Sequence, residues 1–194
     1  MNDQILIGLN CPTPKEDRRR RGDHSALCKC PEPHFEPAPN LVRPRFCRQL
    51  MKRARDLTSG CRFSLILYRM KWQGKRERKP KSDRLRAVVV LLQGLCFYYD
   101  PHTNIVQRSL TGLAMDCGLA TESENGVISI SRASRALYSL EYEFEYIVRG
   151  TGDDGDFRIF FTPALFQALR IRPDHLRAAR RKCERSVQKR GTLQ

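Results

Sequence analysis

The stretch from Ser109 to Thr162 constrains the fold more than any other part of the chain, because its hydrophobic period changes several times in short succession. Leu110, Leu113, Ala114 and Cys117 recur at helical spacing, and Gly118 supplies a stop. After a turn region, ATESENG, the segment ISISRASRALYSL places Ile130, Ala133, Leu137 and Leu140 on one helical face. Ser131, Arg132, Arg135, Tyr138 and Ser139 fall on the other. Tyr142, Phe144, Tyr146 and Val148 then alternate with Glu141, Glu143 and Glu145, which predicts a strand. GTGDDG turns the chain at 150–155, and FRIFFT at 157–162 reads as a second strand.

Helix, helix, strand, hairpin, strand is the order of a winged helix-turn-helix, so the expected fold is mainly α with a small β-sheet, α+β in class. Elements before this unit follow from the same reasoning. RPRFCRQLMKRARDL repeats Phe46, Leu50, Ala54 and Leu57 at helical spacing with basic residues opposite, an amphipathic helix that Gly60 ends. CRFSLILY, 61–68, alternates Phe63, Leu65 and Leu67 with polar neighbours and predicts a half-buried strand. KWQGKRERKPK, 71–81, has no period and reads as an exposed basic loop. Ser82-Asp83 is expected to cap a long buried helix through Leu85, Val88, Val89, Leu92, Leu95 and Cys96 that ends at Asp100-Pro101. Pro163 and Pro173 open two further helices, the second rich in arginine.

Three units are expected: a flexible Pro/Cys-rich tail over 1–40, a winged-helix domain over 41–172, and a basic helix over 173–194. The tail holds six prolines and few aliphatic residues after Leu9, too little to bury. The longest apolar run, Ala87 to Leu92, is far shorter than the roughly 20 residues that span a bilayer. At the N-terminus the apolar stretch precedes the charges, the reverse of a secretory signal. A cytoplasmic protein with reduced cysteines and no membrane partner is expected.

Charge narrows the function. The formal net charge is +15. Six basic residues and no acid occupy Arg43 to Arg55, and two segments, Arg69 to Arg86 and Arg170 to Arg190, each carry nine basic residues against two acids. Glu141 to Asp156 runs the other way, with six acids and Arg149. Sign-sorted blocks mark interaction surfaces, and basic ones fit a polyanion. A helix that reads the major groove needs short polar or forked basic side chains opposite its buried stripe. Ser129, Ser131, Arg132, Arg135, Tyr138 and Ser139 are the candidates to read bases. Lys71, Lys75, Arg76, Arg78, Lys79, Lys81, Arg180, Arg181 and Lys182 are the candidates to hold phosphates. Trp72, among these cations, is placed to stack on a base or to cover the edge of the core.

One feature opposes a DNA-gripping wing. The tip carries Asp153, Asp154 and Asp156 and the strand three glutamates, so this face either stays off DNA or meets protein, including the basic segments of a second copy. Other chemistries find little support. His24, Cys28, Cys30 and His34 lack a standard zinc-finger spacing, and no metal or cofactor is expected. DDGD lacks the ligand spacing of a calcium loop, and no glycine loop followed by Lys-Ser/Thr is present to cradle a nucleotide. All four histidines are isolated, without the paired arrangement of a nickase. A binding protein, not an enzyme, is the expectation.

Four blocks in order carry a family resemblance: LLQGLCFYY (91–99), LAMDCGLATE (113–122), ISISRASRAL (128–137) and FTPALFQAL (161–169). With them the chain, from about Arg45 to Arg181, resembles the RepA-type replication initiators of IncFII-like (RepFIIA group) plasmids. The resemblance implies a bacterial protein that binds double-stranded plasmid origin DNA, recruits the host initiator and helicase-loading proteins, and sets copy number without being an enzyme. Family members run on past the position of Gln194 with more basic helical sequence, which points to a second DNA-binding unit outside this chain. The resemblance does not reach the tail before about Arg43. Two alternatives stand beside the initiator: a winged-helix assembly or homodimerisation module, and a winged-helix transcriptional repressor.

Overall fold

The computed structural model describes Pro31 and residues 33–35, 45–75, 78, 80–122, 126–151 and 157–191. The buried run in the middle of the chain organises the rest. Helix α3 (Ser82–Tyr98) buries every residue from Ala87 to Cys96, including Gln93 and Gly94, because helices cover it on several sides. The first of these is α1 (Arg45–Ser59), whose inner stripe is Phe46, Cys47, Leu50, Met51, Ala54 and Leu57. The apolar spacing sets this stripe, with Arg45, Arg48 and Arg55 exposed and Arg53 half-buried. Gly94 is where a second helix comes close: a Cβ there would lie 2.8 Å from the Cys117 sulfur and 3.2 Å from the Phe35 ring. Only glycine fits that approach.

The neighbouring helix is α4 (Leu110–Asp116), started by Ser109, whose hydroxyl accepts from the Gly112 amide at 3.2 Å. It ends at Gly118, which adopts a left-handed φ of 63° as the sequence predicts. The expected turn region contains β3 (Thr121–Glu122), which pairs with β4 (Ile128–Ser129), so Ile128 and Ser129, expected at the start of the helical segment, are strand. Helix α5 (Ser131–Tyr138) follows, with Ala133, Ala136 and Leu137 packed inward. Thus α1, α4 and α5 all pack on α3.

The main sheet is antiparallel, in the order β1-β2-β6-β5, from β1 (Tyr99–Asp100), β2 (Ile105–Val106), β5 (Ile147–Thr151) and β6 (Phe157–Phe161). Ile147 faces Phe161 and Thr151 faces Phe157 across the hairpin. Tyr99 stacks on Phe161 with ring centroids 4.4 Å apart, tying the end of α3 to the sheet. Thr162 then caps α6 (Pro163–Ala168), with Pro163 in its first turn, and α7 (Pro173–Gly191) closes the described chain. The architecture is α+β, helices with one small antiparallel sheet. Among the described residues no helix is long and apolar enough to cross a membrane.

Several sequence expectations are overturned. Residues 61–68 are not a strand but part of helix α2 (Cys61–Trp72). Phe63 and Met70 are buried with Ile66 and Leu67 half-buried, a helical spacing, and Leu65, expected inside, is 65% exposed. The basic loop therefore starts after Trp72. Ser82 does not cap α3: Lys81 holds that position without a side-chain hydrogen bond. The strand expected over Tyr142 to Val148 is a π-helical turn (Ser139–Glu143) that prolongs α5, and β5 begins only at Ile147. Phe144 and Tyr146 are buried as alternation requires, but Glu145 between them takes a left-handed φ of 57°, which breaks any strand there.

The Pro-rich arm also makes contacts where it is described. Phe35 packs on Phe97 at 5.0 Å, and the His34 amide donates to the Asp116 carbonyl at 2.6 Å. Asp116 is a node. Its carboxylate accepts from the Tyr98 hydroxyl at 2.7 Å and from two nitrogens of Arg108 at 2.9 and 3.0 Å.

Candidate nucleic-acid interface

The outer face of α5 carries Ser131, Ser134, Arg135 and Tyr138, all exposed, at positions i, i+3, i+4 and i+7 of one helix. This stripe stays in solvent because Ala133, Ala136 and Leu137 fill the opposite side. Its N-terminal edge is held locally, since the hydroxyls of Ser129 and Ser131 lie 2.7 Å apart. Four of the six residues expected to read bases, Ser129, Ser131, Arg135 and Tyr138, are therefore presented together. Ser134 belongs with them and was missed, although the helical spacing from Ser131 signals it.

The other two differ. Arg132 is half-buried, and its Nη1 is shielded from solvent without a hydrogen-bond partner. Ser139, expected outside, is 1% exposed. The Arg84 guanidinium donates to its hydroxyl, which itself donates to the Arg135 carbonyl at 3.1 Å. A side chain so enclosed is structural, and the exposed stripe of α5 ends at Tyr138, one residue before the position the sequence predicts.

Beyond Tyr138 the face continues as aromatics. Tyr138 and Tyr142 have ring centroids 4.5 Å apart, and the Arg149 guanidinium lies 5.8 Å from the Tyr142 ring centroid. The nearby glutamates do not form a free acidic surface. Glu141 pairs with Arg149, Glu143 with Arg84 at 3.1 Å, and Glu145 with Lys75 at 2.6 Å. The repulsion expected from this block is offset within the chain for these three acids. Asp153, Asp154 and Asp156 lie outside the described residues.

The phosphate candidates divide into two groups. Lys71, Arg78 and Lys81 are exposed, and Lys75 is engaged with Glu145, just ahead of edge strand β5. Arg76 and Lys79 lie outside the described residues. On α7, Arg181 and Lys182 are exposed, while Arg180 is half-buried and interacts electrostatically with the Tyr99 side chain in β1, at the other edge of the sheet. The structure therefore keeps the two basic groups apart, and only the first borders the turn that continues α5.

Cys96 and Cys117 are fully buried, and burial pushes both thiols up, so neither is poised as a nucleophile or thiolate ligand. Among the described residues no three His, Cys, Asp or Glu side chains gather as a metal site. Of the zinc candidates, His24, Cys28 and Cys30 lie outside the described residues, and His34 is exposed.

Known proteins supply a second, independent line. The IncFII RepA protein family matches residues 23–190. A replication initiation protein of Escherichia coli is 44% identical over 160 residues, covering 79% of this chain and 55% of that protein. A probable replication-associated protein repA1 of Buchnera aphidicola subsp. Acyrthosiphon pisum is 32% identical over 113 residues, covering 55% of this chain and 40% of that protein. The chain thus spans about half the length of these relatives. No solved structure matches. The family match begins well before Arg43, so the likeness reaches into the Pro/Cys-rich arm that the four sequence blocks left outside it. With most of its length matched in this way, the chain belongs to the IncFII RepA protein family.

Proposed function

We propose that this chain is an origin-binding plasmid replication initiator, or the portion of one that reads duplex DNA through α5. The observation that carries this reading is the exposed Ser131, Ser134, Arg135 and Tyr138 stripe, with Lys75 of the basic segment paired to Glu145 in the segment that follows α5. Forked and short polar side chains on a rigid helix suit base edges in a major groove, and flexible cations suit phosphates. The element order supports a winged-helix assignment: α3, α4 and α5 precede the β5–β6 hairpin in the chain, and β6 lies between β2 and β5 in the sheet. The names of the relatives, replication initiation and replication-associated proteins, agree with it.

In this reading the protein works in the bacterial cytoplasm, binds double-stranded origin DNA, and brings host initiator and helicase-loading proteins to it, so that its abundance sets copy number. Ser129, Ser131, Ser134, Arg135 and Tyr138 read bases, and Lys71, Arg78 and Lys81 hold phosphates. The role is binding, not catalysis. The alternative of an assembly module drew on an acidic wing seeking a basic partner, and the ion pairs of Glu141, Glu143 and Glu145 weaken that motive. The test is competition between a labelled plasmid origin fragment and unrelated duplex. Tighter binding of the origin is expected; equal affinity for both contradicts the proposal.

A further inference from the structure

Helix α2 has an outer face of which the duplex-reading assignment uses only Lys71. Phe63 and Met70 anchor its inner side, with Phe63 stacked on Phe144 at 5.6 Å and 3° between ring planes. Opposite them Leu65 is 65% exposed, Tyr68 63% and Trp72 81%. Tyr68 and Trp72 are four residues apart, one turn of helix, so their side chains stand next to each other on the same face. Aromatic side chains of this size exposed to this degree in adjacent turns are unusual on a surface without a partner. Arg69 and Lys71 are exposed on the same helix, and α2 contains no acidic residue. Lys75 follows, its ion pair with Glu145 fixing the end of α2 to the segment that leaves α5.

The geometry points to a second nucleic-acid site: Tyr68 and Trp72 form a ledge on which unpaired bases stack, with Arg69 and Lys71 neutralising the backbone of that strand. The chemistry selects single strands over duplex, since only an unpaired base offers its face to an aromatic ring, and it carries no sequence preference. Charge favours a polyanion over an apolar protein surface, because a protein partner would have to bury Arg69 and Lys71 beside the rings. The site is independent of the α5 assignment and stands or falls separately from it.

The test uses the full chain and its only tryptophan, Trp72, as a built-in reporter. Titration with a short oligothymidylate should quench Trp72 fluorescence saturably. Tyr68→Ala and Trp72→Ala, the latter followed by anisotropy of a labelled oligonucleotide, should each weaken single-strand binding about tenfold or more. Trp72→Phe should retain most of the affinity, and blunt duplex binding should be unchanged in all three. Exposed positions leave the core intact, and an unchanged circular dichroism spectrum checks this. Unaltered Trp72 emission at saturating oligonucleotide overturns the proposal, as does wild-type affinity in both alanine variants. So does an emission change that tracks protein concentration without DNA, which would mean that a second copy covers the ledge.

Discussion

Arg84 and Ser139, 55 residues apart in sequence, meet through two hydrogen bonds, the guanidinium Nη2 and Nε donating to the serine Oγ at 2.8 and 3.2 Å. The same guanidinium reaches Glu143 at 3.1 Å. One side chain from the first turn of α3 thus fixes both the end of α5 and the π-helical turn after it. Removing it leaves the buried Ser139 hydroxyl without its donor, so Arg84→Ala should lower stability by about 1–3 kcal/mol in urea unfolding. Arg84→Lys, which lacks the fork, should recover only part of this. An unfolding midpoint unchanged in Arg84→Ala would show that the clamp contributes nothing.

Tyr99 makes stability fall in alkali. Burial is the largest influence on its hydroxyl and pushes it from the usual 10.0 up to about 12. The unfolded chain loses this proton first, so between about pH 10 and about pH 12 the folded state holds more protons and stability declines as pH rises. Below that window the contribution is fully present. Urea midpoints measured across the range should fall more steeply in the wild type than in Tyr99→Phe; parallel curves would contradict the assignment.

The buried thiols should be silent. Cys96 and Cys117 are 0% exposed, and burial disfavours their thiolates. Iodoacetamide at neutral pH should leave both unmodified in the folded chain and alkylate both in urea, as read by peptide mass. Modification at equal rates in the two conditions would mean that the packing around Gly94 opens readily.

Phosphate binding by the basic segment should show in salt. Neutralising Lys71, Arg78 and Lys81 together should weaken all duplexes alike and reduce the log-log salt slope by about 0.9 for each phosphate no longer neutralised. Lys75→Ala should reduce the slope less, because its ammonium already lies 2.6 Å from the Glu145 carboxylate. A loss of sequence preference in the triple variant would instead make the basic segment the reader.

The elements legible in the sequence are those whose partners are local. Helical spacing in α1, α3 and α4, the stop at Gly118, the strand at 157–161 and the Pro163 start all depend on neighbours within a few residues. The errors arise where distant contacts decide. In 61–68 the apolar residues fit both a period of two and a helix, and only Met70, buried at 4% exposure, completes the helical stripe. The Glu141, Glu143 and Glu145 alternation imitates a strand, yet two of the three pair with Arg84 and Lys75, 59 and 70 residues away. Once those pairs form, the segment winds as a π-helical turn and Ser139 is enclosed. On α5 the inner stripe is readable, but the enclosure of Ser139 just after it depends on Arg84, which no local pattern announces.

That the outer face of α5 reads base pairs is tested most directly by the ratio of origin to unrelated duplex affinity in Arg135→Ala. This ratio should fall by about 1–3 kcal/mol, with affinity for unrelated duplex and the urea midpoint unchanged. Arg132→Ala, in contrast, should shift the urea midpoint, since Arg132 is half-buried. A wild-type ratio in Arg135→Ala, with the protein folded, would contradict the assignment of α5 as the reading helix.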